Sequence, residues 1–342
     1  MASIPSPADR RPSAGYTAAE HARRYAGVRA VMPLAEWDAH FDDIAAIEAL
    51  KRQHGAIVLA HNYQRPEIYH GVADVQGDSL TLAREAAASD AQVLVMCGVH
   101  FMAETAKILS PDKLVLLPDL EAGCSLATSV DAAGVRALRA RHPGVPAVCY
   151  VNTSAAVKAE CDACCTSANA IEVVEALGVP EVIFLPDRYL AAHVAAHSKV
   201  RIIPWDGACE VHQRFTGEQV LEYRRDARAF VLAHPECPPD VLQAADYVGS
   251  TAGMIGALEK HRPPRAVLIT ECSMSDNVAS AFPQTQFLRP CNLCPHMQRI
   301  SLSKVRECLE GLSPSIDVPA DVAARARRAV ERMVNPALRP AA

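Results

Sequence analysis

The chain has 342 residues, half of them apolar, 5% aromatic and 21% charged, with a formal net charge of -5. That length can bury a large core, and domains of roughly 100 to 200 residues suggest two or three of them. Scattered Lys and Arg under net negative charge exclude a nucleic-acid or anionic-membrane surface, which needs concentrated basic charge, and no run approaches the roughly 18 apolar residues of a membrane span.

Residues 1–40 read as an N-terminal arm leading into a helix. Pro5, Pro7, Arg10, Arg11, Pro12, Arg23 and Arg24 stand there without an apolar h-region, so no signal peptide is predicted, and Asp9 and Glu20 interrupt the basic character of a transit peptide. A cytoplasmic location is expected. In a reducing compartment, twelve cysteines argue for metal ligation, catalysis or core filling rather than disulfides. Cys97 and Cys149, inside apolar runs, and Cys308, on a helical pattern, read as core.

From residue 41 the chain repeats a plan. Ile57-Val58-Leu59-Ala60 leads into His61-Asn62-Tyr63-Gln64, Ala147-Val148-Cys149-Tyr150 into Val151-Asn152-Thr153, and Phe230-Val231-Leu232-Ala233 into His234-Pro235-Glu236. Each is a buried-strand pattern that ends in polar side chains. A second run follows in each segment, at Val93-Leu94-Val95-Met96, Val182-Ile183-Phe184-Leu185 and Val267-Leu268-Ile269-Thr270, with helical patterns on both sides. A third, at 114–117, 200–203 and 286–288, precedes Cys124, Cys209 and Cys294, which stand at equal intervals of 85 residues. Alternating strands and helices predict an α/β protein of three similar small parallel-sheet units, three-layered and arranged around a pseudo-threefold axis. The units are expected at 41–124, completed by C-terminal helices within 295–342, at 125–209 and at 210–294. Functional groups of such sheets gather beyond the carboxyl ends of the strands, so polar tips and cysteines should converge on one central cavity.

Three thiolates from three units suit a 4Fe-4S cluster with one iron lacking a protein ligand, since full ligation takes a fourth cysteine. A structural zinc site prefers four ligands in paired C-x-x-C knuckles; only Cys291 and Cys294 have that spacing cleanly, the like-spaced Cys161 and Cys164 being crowded into one cluster with Cys165. An open iron can act as a Lewis acid, which points to condensation or dehydration. His61, Tyr63, Tyr150, His212, His234 and Glu236 are candidate acids and bases, and Ser79, Asn152, Ser167, Ser250 and Thr251 can donate to anionic groups. Gly249-Ser250-Thr251-Ala252-Gly253, after the short run Asp246-Tyr247-Val248, has the pattern of a helix N-terminus, where a Ser or Thr can equally be a plain cap.

From about His54 to Met297 the chain resembles the quinolinate synthases, iron-sulfur enzymes of NAD biosynthesis. The resemblance rests on His61-Asn62-Tyr63-Gln64, Gly77-Asp78-Ser79-Leu80, the segment 97–107, Ala122-Gly123-Cys124, Tyr150-Val151-Asn152-Thr153, Cys165-Thr166-Ser167-Ala168-Asn169-Ala170, Gly207-Ala208-Cys209-Glu210-Val211-His212, His234-Pro235-Glu236-Cys237, Gly249-Ser250-Thr251 and Cys294-Pro295-His296-Met297. It implies condensation of iminoaspartate with dihydroxyacetone phosphate to quinolinate, phosphate and two waters, and a functional link to the enzyme that supplies iminoaspartate. It implies one 4Fe-4S cluster on Cys124, Cys209 and Cys294. His61, Tyr63, Ser79, Tyr150, Asn152, Ser167, His212, His234, Glu236, Ser250 and Thr251 match active-site positions of that family. Within it, Glu236 and Tyr63, with His61 beside them, are expected to move protons, and Tyr150, Asn152 and His212 to orient substrate. Two alternatives stay open on sequence alone: a radical enzyme resembling those of diphthamide biosynthesis, and a non-catalytic iron-sulfur sensor or carrier.

Overall fold

The computed structural model describes residues 15–335. The Pro- and Arg-rich stretch 5–12 of the expected N-terminal arm lies outside the described residues. The first two apolar runs of each unit form strands buried on both faces, the environment that favours uninterrupted hydrophobic sequence in parallel sheets. The first unit holds β1 (Ala56–His61), β2 (Val75–Gly77), β3 (Val93–Cys97) and β4 (Leu114–Leu116). The second holds β5 (Ala147–Tyr150), β6 (Ala163–Cys165), β7 (Glu181–Leu185) and β8 (Arg201–Pro204). The third holds β9 (Phe230–Ala233), β10 (Tyr247–Val248), β11 (Arg265–Ile269) and β12 (Gln286–Leu288).

Within the sheets every strand pairs parallel to its neighbours, and the three four-stranded sheets share one order: β2-β1-β3-β4, β6-β5-β7-β8 and β10-β9-β11-β12. The α/β architecture of three like units is therefore present. It differs from the sequence pattern in one respect. Apolar runs mark three strands per unit, whereas each sheet has a fourth, the edge strand β2, β6 or β10. These strands are three, three and two residues long, too short to carry a period of two, and only the last left a trace, as Tyr247-Val248.

The first two sheets share one continuous core with the C-terminal helices. Helix Leu302–Gly311 packs on helix Phe41–His54, and helix Ala320–Val334 lies against β6 and helices Ala155–Lys158 and His100–Leu109. The tail thus touches both the first and the second unit. The third sheet buries its two faces in two separate clusters, one around Val231 and Val267 and one around Leu232 and Leu268. Among the described residues no helix is long and apolar enough to cross a membrane.

Candidate active site

Strand pairing puts the three units in one register. Ala60, Cys149 and Ala233 on the first strands face Cys97, Leu185 and Ile269 on their neighbours. Positions beyond the first strand are therefore equivalent: His61, Tyr150 and His234 one step on, and Tyr63, Asn152 and Glu236 three steps on. All six line a single cavity. The edge strands obey the same register, with His61 facing Gly77, Tyr150 facing Cys165 and Ala233 facing Val248. Ser79, Ser167 and Thr251 are consequently equivalent, and these hydroxyls line the same cavity.

Ser250 does not join them. It occupies the position equivalent to Asp78, and both side chains cap the helix that follows: Asp78 Oδ1 accepts from the Thr81 N–H at 2.8 Å, and Ser250 Oγ from the Gly253 N–H at 3.1 Å. Asp78 reaches the cavity and Ser250 is not part of its lining. Thr251, one residue on, accepts a hydrogen bond from Asn62 Nδ2 at 2.9 Å.

Cys124, Cys209 and Cys294 open on this cavity, and its lining contains no fourth cysteine. Each ligand candidate has a neighbour that restrains it. Asn152 Nδ2 lies 4.0 Å from Cys124 Sγ, His212 Nδ1 lies 3.2 Å from Cys209 Sγ, and the Cys294 N–H donates to Glu271 Oε1 at 3.3 Å. Burial pushes the Cys124 thiol up to about 12 and the Cys294 thiol up to about 11, and drives Cys209 well above the ordinary thiol range. Such thiols ionise when a metal takes the proton's place. Three convergent soft donors with no fourth thiol fit a cluster that keeps one iron open, and do not complete a structural zinc site. Cys291 is exposed, lies beside Cys272 and does not line the cavity.

A chain of short contacts crosses the site. Tyr63 Oη and Thr270 Oγ1 are 2.5 Å apart, Thr270 Oγ1 and His212 Nε2 2.9 Å, and His212 Nδ1 and Glu236 Oε2 2.9 Å. With the Nδ1 proton toward Glu236, Nε2 accepts from the Thr270 hydroxyl, which in turn accepts from the Tyr63 phenol. Burial disfavours ionising Glu236, but the nearby His212 and His234 rings and a hydrogen bond from Tyr150 outweigh it and hold the carboxyl at about 2. Burial lowers His61 to about 4 and His234 to about 3, so both rings are neutral near pH 7. It also raises Tyr63 and Tyr150 far above the phenol range, with Glu236 adding to the effect, which keeps both protonated. Cys209, His212 and Glu236 bring ligand atoms within 4.8 Å of one another. The imidazole and carboxylate of that trio already bond each other.

The site also contains residues that the motifs did not single out. Glu271, fully buried, lines the cavity, and its carboxyl is raised to about 7 by burial. Thr270 joins Tyr63 to His212. The available signal was the repeat itself, because Glu271 stands two residues past the end of β11 just as Asp187, another fully buried acid, stands two past the end of β7.

The family described as "Quinolinate synthetase A protein" matches residues 45–335. The chain is 59% identical over 311 residues to "Quinolinate synthase 1" of Mesorhizobium japonicum, covering 91% of this chain and 96% of that protein. It is 56% identical over 312 residues to the "Quinolinate synthase" of Agrobacterium fabrum, covering 91% and 90%, and 58% identical over 294 residues to that of Xylella fastidiosa, covering 86% and 87%. A match that spans both the three-unit scaffold and every element bearing the cavity leaves one assignment: the chain belongs to the quinolinate synthase family of enzymes.

Proposed function

We propose that this cavity condenses iminoaspartate with dihydroxyacetone phosphate to quinolinate, releasing phosphate and two waters, as a step of NAD biosynthesis, and that one 4Fe-4S cluster sits on Cys124, Cys209 and Cys294. The observation that carries the reading is the convergence of one cysteine from each unit on the cavity that also holds the buried Glu236–His212 pair. A cluster ligated by three thiolates would supply one iron able to polarise a carbonyl or hydroxyl oxygen.

The chain's own groups account for binding and proton movement. Ser79 begins helix Ser79–Ala88 and Thr251 begins helix Thr251–His261. Hydroxyls beside the unpaired N–H groups of helix starts favour phosphate and carboxylate. Asn152 and the protonated Tyr150 donate to substrate oxygens from the second unit. Glu236, ionised at neutral pH, takes a proton from the attacking nitrogen or the adjacent carbon, and His212 keeps the carboxylate aimed. Tyr63 gives a proton to departing hydroxide and is resupplied by Thr270 from His212 in the tautomer with its proton on Nε2, while the proton that Glu236 has taken up passes to His212 Nδ1; the three links are all within hydrogen-bond reach. His61, against Tyr63 with ring centroids 4.7 Å apart, fixes the phenol's orientation.

The test is anaerobic turnover of cluster-loaded protein with both substrates. Quinolinate should form in step with cluster content, and a fully loaded sample that makes none would sink the reading.

A further inference from the structure

Tyr63 and Asn152 reach the cavity from equivalent turns, and a turn that presents a reacting side chain has to be held still. In the first unit, one amide nitrogen holds it. Asn277 Nδ2 donates to the Asn62 carbonyl at 3.0 Å and to the Gln64 carbonyl at 2.7 Å, the two carbonyls that flank Tyr63. In the second unit Lys158 Nζ does the same, donating to the Val151 carbonyl at 2.8 Å and to the Thr153 carbonyl, the two that flank Asn152. The donors share neither residue type nor place in the chain. Lys158 follows its own turn on helix Ala155–Lys158, whereas Asn277 arrives from helix Ser273–Val278 of the third unit.

Both are deeply buried. Lys158 has no exposed surface, and Asn277 is 3% exposed. Sealing a lysine inside a protein is costly unless its donors are satisfied, and here two carbonyls, the Phe101 ring at 5.5 Å and the field of Glu104 supply that. The Asn277 amide orientation follows from its partners, since Nδ2 faces two carbonyls and Oδ1 has no partner. In the third unit the equivalent flanks are Pro235 and Cys237, and among the described residues no side chain donates to their carbonyls. Glu236 is held through its own carboxylate by His212.

We infer that Lys158 and Asn277 are positioning residues: each is a single-atom pin across a two-carbonyl turn, aiming Asn152 and Tyr63 respectively at the reacting groups. Neither touches the cavity itself. The consequence for turnover rests on the function proposed above; the pinning does not.

Lys158→Met and Asn277→Leu remove the donor while roughly keeping side-chain volume. Amide exchange by mass spectrometry, run on cluster-loaded protein, should rise at least tenfold in 151–155 for Lys158→Met with 62–65 unchanged, and the reverse for Asn277→Leu. General loosening would raise both turns alike, and that result, or no change at the near turn, overturns the inference. Catalytic efficiency should fall by about 10- to 100-fold, the scale for misplaced reacting groups. Lys158→Met should add nothing further to Asn152→Ala, nor Asn277→Leu to Tyr63→Ala, because each pin acts only through the residue it aims; additive losses would overturn the inference. If Lys158→Met does not fold, Lys158→Gln, which keeps a donor without the charge, must show exchange between wild type and Asn277→Leu at their respective turns, and the uncharged Asn277 arm stands independently. Absence of quinolinate from the wild type would remove the proposed reaction and leave the exchange result to decide the pins.

Discussion

At the scale of single residues, the site depends on which polar groups burial leaves charged. His61 and His234 lose their protons to desolvation, Tyr63 and Tyr150 keep theirs, and Glu236 remains a carboxylate because His212 Nδ1 faces it at 2.9 Å. Glu236→Gln keeps the shape and removes the base, so cluster absorbance should persist while turnover drops by about 100-fold or more; near-normal turnover would take Glu236 out of the mechanism. Thr270→Val severs the Tyr63–His212 link without changing size, and turnover should fall by about tenfold or more, with the solvent isotope effect altered. An unchanged isotope effect would leave Thr270 a packing residue. The cysteine assignment is testable in the same way. Cys291 lies beside Cys272 and does not line the cavity, so Cys291→Ala should retain the cluster and activity while Cys294→Ala loses both; the opposite result would overturn the ligand assignment. A C-x-x-C spacing would have allowed either thiol, and also an air-formed Cys291–Cys294 disulfide. The 85-residue interval favoured Cys294, while the contact with Cys272 joins residues 19 apart in sequence, and no spacing rule reaches that.

At the scale of elements, legibility followed length and burial. β1, β3, β5, β7, β9 and β11 are four to six residues of nearly unbroken apolar sequence, and their patterns were plain. The edge strands β2, β6 and β10 were not, yet they set the register that separates Thr251 from Ser250. Gly249-Ser250-Thr251 by itself offers two hydroxyls to the cavity; pairing of β10 with β9 turns the first into a cap. Ser250→Ala should therefore lower unfolding free energy by about 1 kcal/mol, the usual cost of a lost N-cap, and Ser250→Asn, which can cap as well, should recover most of it. An unchanged denaturation midpoint for Ser250→Ala would mean that the cap contributes nothing. Glu271 and Thr270 escaped notice for a related reason: a polar pair after a buried strand has no signature until the sheet shows what lies beside it.

At the scale of the whole molecule, each of the three cysteines ends a different unit, so a shared cluster would cross-link the three sheets. The first two sheets already share a continuous core with the C-terminal helices, whereas the third has cores of its own. The third unit therefore has the most to gain. A group bound only by the assembled state raises stability in proportion to its binding free energy, and structural metal sites contribute on that scale. Anaerobic calorimetry should place the thermal midpoint of cluster-loaded protein roughly 5 °C or more above that of apo-protein. Limited proteolysis should show residues 289–296, the stretch that brings Cys294 to the cavity, becoming cleavable when the cluster is removed. Cys124→Ala and Cys209→Ala should each abolish 4Fe-4S absorption after reconstitution, and neither should gain thermal stability from iron and sulfide. Arg289–Asp276 and Gln298–Ser273 contacts, at 2.9 Å and 3.2 Å, flank that stretch without the cluster, so the apo-protein should stay folded and lose only the final restraint. Coincident midpoints and identical cleavage in fully loaded and apo samples would show that the three units hold their positions unaided, and that the cysteines serve chemistry alone.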